Sequence, residues 1–213
     1  MKVGCGWRQL DDGTLSNTLE AQTVHSGIVG SWDRSARTPY CRLTAWTMEN
    51  QEKFAAALPL IQKASQVFKQ LCPARWRAQR EIIHVTSPDF VIPDTVFTTV
   101  TVNRNWQTAV HQDKGDLKSG YGVMCALRSG TFVGGYLCFP QYKVAVDMRN
   151  CGLLLADVHE WHGNTPFASG SKDWERISLV MYYRERMLEC GSHAEELARA
   201  QHRHKGDALG GRP

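Results

Sequence analysis

The sequence predicts an α+β domain in which helices lead, a sandwich or barrel of short strands follows, and one helix closes the chain. Three observations carry this. Apolar residues recur at helical spacing between residues 50 and 80. From about residue 81, β-branched and aromatic runs are separated by Gly and Asn joints, the texture of a sandwich or barrel. Residues 192–204, SHAEELARAQHRH, return to an amphipathic helical pattern with a basic end.

Taken in order, the first 30 residues are rich in Gly, Ser, Thr and Asn and read as irregular structure with one short strand. Residues 40–47, YCRLTAWT, alternate as a strand or an extended lead-in. Asn50 is a candidate N-cap before QEKFAAAL, because its side chain can accept from an orphan backbone N–H. Pro59 then kinks one helix or opens a second. Beyond it, Leu60, Ile61, Ala64, Phe68 and Leu71 are expected to face a core. Pro73 ends that run, and a short helix over residues 74–80 follows. Six strand-like runs come next: DTVFTTVTVNRN, GYGVMCALRSG, GGYLCFP, KVAVDM, CGLLLAD and RISLVMYYRE. Residues 206–213 read as a disordered tail, which leaves residues 1–205 as a single domain without repeat or linker.

Composition narrows the class. A 213-residue chain with 42% hydrophobic and 22% charged residues has the make-up of a soluble globular protein. No apolar run approaches the roughly 18 residues that span a bilayer, so no membrane partner is expected. The N-terminus lacks a signal-peptide core, which places the protein inside a cell: the nucleus of a eukaryote, or the host cytoplasm for a phage protein. The seven cysteines are scattered, with no CxxC pair, so they read as small buried residues, not as a zinc site or a disulfide framework. A net charge of +4 suits an anionic partner such as nucleic acid without identifying one. A monomer is expected.

The chemistry concentrates in two places. His111 and Asp113 flank Gln112, and on an extended strand i and i+2 point to one face, so an imidazole and a carboxylate can chelate one ion. Two histidines and a carboxylate with open positions form the metal site of non-haem Fe(II) oxygenases. The third ligand is His159 or His162, both in DVHEWHGNTP. His162 is favoured by its Gly-Asn turn and its separation of 14 residues from Arg176. Along RISLVMYYR, alternate residues Arg176, Ser178, Val180, Tyr182 and Arg184 share one strand face. A guanidinium at Arg176 can grip the distal carboxylate of 2-oxoglutarate in a bidentate pair, with Ser178 adding a hydrogen bond.

The blocks VNRNWQTAVHQDKGD, GGYLCFPQ, WHGNTP and RISLVMYY give the chain a family resemblance. It resembles the TET/JBP group of 2-oxoglutarate dioxygenases, which oxidise the methyl of 5-methylpyrimidines in nucleic acid, over roughly residues 27–187. The resemblance implies a double-stranded β-helix core of jelly-roll or cupin type, with N-terminal supporting helices and a C-terminal helix. It implies His111, Asp113 and His162 as iron ligands, Arg176 as the 2-oxoglutarate anchor, and Fe(II), 2-oxoglutarate and O2 as the reacting set. Ascorbate stands as an alternative reductant, because one related branch uses it. Tyr182 matches an aromatic that stacks on the flipped base, though a core tyrosine fits the position too.

Asn103 and Asn105 are expected to contact the base edge or the 2-oxoacid, or to cap turns. Asp116 is a further substrate-side candidate. Arg42, with Arg34 behind it, is a candidate for the co-substrate or a DNA phosphate. Arg184 stands where the animal branch has histidine, and contacts a phosphate or is merely solvated. Without the animal Cys-rich extension, DNA docking must use other surfaces. The basic stretches ARWRAQR (74–80) and RAQHRHK (199–205) are candidates for backbone contacts or inert exposed faces. The implied reaction is oxidation of 5-methylcytosine in DNA to 5-hydroxymethylcytosine. The alternatives are thymine hydroxylation on DNA, a same-fold oxygenase acting on a protein or small molecule, and an inactive nucleic-acid-binding module.

Overall fold

A computed structural model describes residues 8–9, 15–16, 26–169 and 173–209. The chain divides into two compact units. The first comprises residues 1–27, 101–114 and 123–180, and the second residues 28–100, 115–122 and 181–213. Strands β3 (Ser26–Trp32), β5 (Thr99–Arg104) and β13 (Glu175–Tyr182) contribute residues to both.

The first unit is built of strands. Strands β1 (Arg8–Gln9) and β2 (Leu15–Ser16) form a small antiparallel pair. Strands β10 (Gly152–Ala156), β6 (Gly122–Ser129), β13 and β5 are neighbours in that order. Strand β8 (Leu137–Phe139) lies between β11 (Gly163–Asn164) and β9 (Val144–Val146), antiparallel to both. Strands β12 (Phe167–Ala168) and β7 (Val133–Gly134) pair separately. One core joins the layers. Met124 and Ala126 of β6, Leu154 and Ala156 of β10, and Val180 of β13 pack with Leu137 and Phe139 of β8 and Val146 of β9. That burial follows from period-2 alternation, which gives each strand one apolar face. Val180 belongs to this core, so the same face of β13 carries Arg176 and Ser178.

The second unit carries the helices. Strand β4 (Arg42–Leu43) pairs with β3 and leads into α1 (Ala45–Glu49), whose N-cap Thr44 accepts from the Thr47 amide. The expected strand over residues 40–47 is therefore only two residues long. Asn50 stands at the N-cap of α2 (Gln51–Leu71) but makes no side-chain cap there; its Nδ2 donates to the Trp46 carbonyl instead. Pro59 lies inside one continuous helix. Ile61, Ala64, Ser65 and Phe68 form the buried stripe, whereas Leu60 and Leu71, expected in the core, are 40% and 66% exposed. A helix adjacent to one layer buries a narrow stripe, and both leucines lie at its margins.

Helix α3 (Pro73–Val85) begins on Pro73 at its first turn and runs five residues past the expected end. It brings Ile82 and Ile83 against Cys41, Phe90, Leu117, Tyr183 and Met187. Buried Gln79 is satisfied by donating to the Val96 carbonyl and accepting from the Tyr121 amide. The closing helix α4 (His193–Leu209) continues through residues 206–209, which the sequence assigned to the tail; the rest of that tail lies outside the described residues.

The cysteines bring a correction. Cys41 and Cys190, 149 residues apart in sequence, form a disulfide within this second core. Such a pairing is a through-space property that spacing does not reveal. Cys151 is exposed, and of the free cysteines among the described residues only Cys125 is fully buried. Among the described residues no helix is long and apolar enough to cross a membrane.

Candidate metal centre

Both histidines and the aspartate belong to the first unit. His111 and His162 form an isolated antiparallel bridge, with each backbone amide donating to the other's carbonyl at 2.8 and 2.9 Å. This reciprocal pair locks the two segments in register. Gly163 lets them approach, because a Cβ there would lie 2.9 Å from Val110 backbone atoms. The Asp113 amide donates to the Val158 carbonyl, which fixes the i+2 residue beside the pair.

The ligand atoms of His111, Asp113 and His162 all lie within 4.8 Å of one another. His111 Nε2 is 3.4 Å from Asp113 Oδ1, and His162 Nε2 is 3.7 Å from Oδ2. Each imidazole contacts a backbone carbonyl through Nδ1, at Ala109 and Glu160 respectively, both at 2.8 Å. With Nδ1–H donating, the lone pair stays on Nε2, which faces the cluster. The Asp113 hydrogen bond, against opposing burial, raises the His111 pKa above the ordinary imidazole value, whereas burial lowers that of His162. His162 is buried, but His111 and Asp113 are each over a third exposed, so the cluster opens on their side. The runner-up His159 is directed elsewhere: its Nδ1 meets Asp157 Oδ1 at 2.8 Å. Its carbonyl accepts from Gln112 Nε2.

Arg176 is 6% exposed and lies over the Phe167 ring at 5.8 Å. Among the described residues no carboxylate forms an ion pair with it. Burial first, and then the charge of Arg128, hold its pKa below the ordinary arginine value. A buried cation without a paired carboxylate favours an anionic ligand. One contributor, Arg128, escaped the sequence reading, and Asn105, a candidate in it, makes contacts that it did not name. Arg128 is paired with Asp147 at 2.6 Å and adds positive potential near Arg176. Asn105 has φ +47°, and its Oδ1 accepts from the Arg176 amide at 2.7 Å while its own amide donates to the Arg176 carbonyl at 2.8 Å. Its Nδ2 reaches the Trp174 carbonyl. Asn105 thus clamps the Arg176 backbone, and its amide group is occupied. Asn103 and Ser178 are half-buried on β5 and β13.

The other sequence candidates belong to the second unit. Tyr182 and Asp116 are each 7% exposed. Arg184 Nε donates to buried Asp33 at 2.8 Å, and its guanidinium stacks on Trp32 at 4.2 Å, so it is neither free nor merely solvated. An isolated bridge pairs its backbone with Asp116. Arg34 is committed to Glu196 through both Nε and Nη2. Arg42 has a buried Nη1 without a hydrogen-bond partner among the described residues, and its guanidinium lies 6.0 Å from the Tyr40 ring.

Two imidazoles and a carboxylate on a strand scaffold match the donor set of the non-haem Fe(II) oxygenases as a class. The sequence model of the TET/JBP family, described as the oxygenase domain of the 2OGFeDO superfamily, matches residues 31–185, and the chain belongs to that family. Similar proteins include thymine dioxygenase JBP1 of Crithidia fasciculata, 36% identical over 194 residues that cover 87% of this chain and 23% of the relative. JBP1 of Leishmania braziliensis is 34% identical over 175 residues, 80% of this chain and 21% of its own. The bifunctional helicase and thymine dioxygenase JBP2 of Trypanosoma brucei brucei is 33% identical over 91% of this chain and 17% of its own. The chain thus spans about a fifth of the length of these relatives. Among solved structures, NgTET1 in complex with 5mC DNA superposes with a TM-score of 0.68 at 13% identity, over 88% of this chain and 71% of that one. That likeness establishes the double-stranded β-helix fold.

Proposed function

We propose that this chain is an oxygenase that hydroxylates the C5 methyl of a pyrimidine in DNA, with Fe(II), 2-oxoglutarate and O2. The observation that carries the reading is the convergence of His111, Asp113 and His162, both imidazoles held in the tautomer that presents Nε2. This donor set suits Fe(II), and the buried Arg176 cation suits the distal carboxylate of the co-substrate. Bound there, the metal would supply O2 activation and oxidation of the substrate methyl. The chain's own part is to hold the donors, keep Arg176 aimed through Asn105, and limit water on the buried His162 side. Ser178 on the Arg176 face is assigned to the same carboxylate, and Asn103 and Arg42 remain candidates on the co-substrate side. Tyr182, Asp116 and Arg184 are assigned to the substrate on their sequence positions, with the target base flipped out of the stack.

Thymine is the favoured base, because the similar JBP1 and JBP2 proteins are thymine dioxygenases. The sequence reading placed 5-methylcytosine first, and it stands as the second reading on the likeness to NgTET1 solved with 5mC DNA. The test is mass spectrometry of nucleosides from two duplexes, one with and one without 5-methylcytosine, after incubation with protein, Fe(II) and 2-oxoglutarate. The favoured reading expects 5-hydroxymethyluracil from both. Only 5-hydroxymethylcytosine, from the methylated duplex alone, reverses the order. Neither product, with succinate released on a protein or metabolite instead, removes DNA as the substrate.

A further inference from the structure

The charge of this chain is unevenly placed. Between residues 62 and 80 lie Lys63, Lys69, Arg75, Arg77 and Arg80, with no Asp or Glu among them. The whole chain has 25 basic and 21 acidic residues, so outside this segment 20 cations face 21 anions and the balance is −1. The net positive charge therefore resides in the C-terminal half of α2 and the first two turns of α3.

Three of these side chains, Lys69, Arg75 and Arg80, are also held in place. Lys69 Nζ lies 4.9 Å and the Arg80 guanidinium 5.9 Å from the Trp76 ring centroid. Trp76 is itself fixed through Nε1 to Ser65 Oγ. Arg75 lies 4.9 Å from the Tyr121 ring and donates to the Ser119 carbonyl. Lys63, Lys69 and Arg77 are exposed. None of the five forms an ion pair with a carboxylate among the described residues. A cation resting on an aromatic face keeps its charge, gives up some rotamer freedom in advance, and leaves N–H groups free to donate.

We propose that this α2–α3 face is a docking surface for the phosphate backbone of duplex DNA. Charge complementarity selects the occupant: Lys69, Arg77 and Arg80, none of them in an ion pair among the described residues, favour a partner of continuous negative charge, which a duplex supplies on both strands. Residues three apart are neighbours on a helix surface, so Arg77 and Arg80 lie side by side on α3, and Arg80 shares the Trp76 ring with Lys69. The surface deepens the proposed function by naming how the DNA is held, and rests on it for the choice of DNA. Its residues take no part in the oxidation.

The test measures binding of a fluorescein-labelled mixed-sequence DNA duplex to the full chain, anaerobically so that no turnover occurs, over a series of salt concentrations. The triple variant Lys69→Gln/Arg77→Gln/Arg80→Gln spares Arg75 and its loop contact. A control, Lys53→Gln/Lys143→Asn/Arg149→Gln, removes the same charge elsewhere, and matched thermal melts establish that both fold. The first variant is expected to weaken binding at least about tenfold at low salt, and to lower the slope of log affinity against log salt by about 0.9 per lost contact. The control should stay within about twofold of the unsubstituted chain, which ordinary variation in phosphate contacts allows. Equal losses in both variants, an unchanged slope in the first, or tighter binding of an RNA duplex of the same sequence would each overturn the proposal. Docking that depends on this face, without any base oxidation in air, removes the proposed function and leaves the surface. Oxidation of DNA by a chain whose affinity ignores the triple substitution removes the surface and leaves the function.

Discussion

Both histidines of the cluster are held by the nitrogen that faces away from Asp113. Ala109 and Glu160 supply only backbone carbonyls, so their side chains carry no signal of this role. The convergence of His111, Asp113 and His162 was legible, because an i, i+2 pair on extended backbone puts two donors on one face and a Gly-Asn turn sets off the third. The clamp on Arg176 was not: Asn105 is 71 residues away in sequence, and its pattern fits a contact to the base edge or the 2-oxoacid, or a turn cap. Asn105→Ala leaves the Arg176 amide unpaired, at about 1–3 kcal/mol, and adds the left-handed backbone cost that asparagine tolerates. We expect the affinity for 2-oxoglutarate, titrated anaerobically on Fe(II)-loaded protein, to fall at least fivefold while Fe(II) affinity holds. Asn105→Asp, which keeps the acceptor, should recover most of the loss. Equal weakening of metal and co-substrate would instead mark a general structural defect.

The same cluster sets a pH dependence. A metal needs neutral imidazole, and the hydrogen bond to Asp113 raises the pKa of His111. Protons should therefore begin to displace the metal at a pH above the ordinary imidazole value of about 6.5, and affinity should keep falling as the solution is acidified. His162, lowered by burial, should not set that limit. Competition titrations with a chelator across this range check it, and an onset well below the ordinary value contradicts it.

At the scale of elements, β13 was read from its alternation, and the core contact of Val180 places Arg176 and Ser178 on the inner face. The α2 stripe was read less well, because periodicity identifies a helix but not which flanking leucines find partners. The fastening of α4 could not be read at all. Buried Glu196 accepts from Arg34 and from the amides of Cys41 and Gly191, beside the Cys41–Cys190 disulfide. Burial acts to raise the Glu196 pKa, but these bonds outweigh it and the net shift is downward. A depressed carboxylate pKa contributes stability that is present above the unfolded value and lost as pH falls through the folded one. Glu196→Ala should cost about 3 kcal/mol in denaturant unfolding, because it leaves a half-buried Arg34 uncompensated. It should also remove part of the acid sensitivity near and below about pH 4.5. A variant as stable as the unsubstituted chain would show that the contact is dispensable.

At the scale of the molecule, strand-rich and helix-rich regions of one sequence yield the oxygenase fold that the family defines. The order of elements was legible because strand and helix periods differ sharply. The long-range pairings were not, since β-sandwich contacts join residues far apart in sequence. The most direct test of an oxygenase acting on DNA is to follow the oxygen. A thymine- and 5-methylcytosine-containing duplex is incubated with the chain, Fe(II), 2-oxoglutarate and 18O2, and product nucleosides and succinate are weighed by mass spectrometry. The expected result is one labelled oxygen in succinate for each 5-hydroxymethyl nucleoside, label in the new hydroxyl, and loss of both products in Asp113→Ala. A hydroxymethyl nucleoside without label and without matching succinate, or full activity in Asp113→Ala, would contradict it.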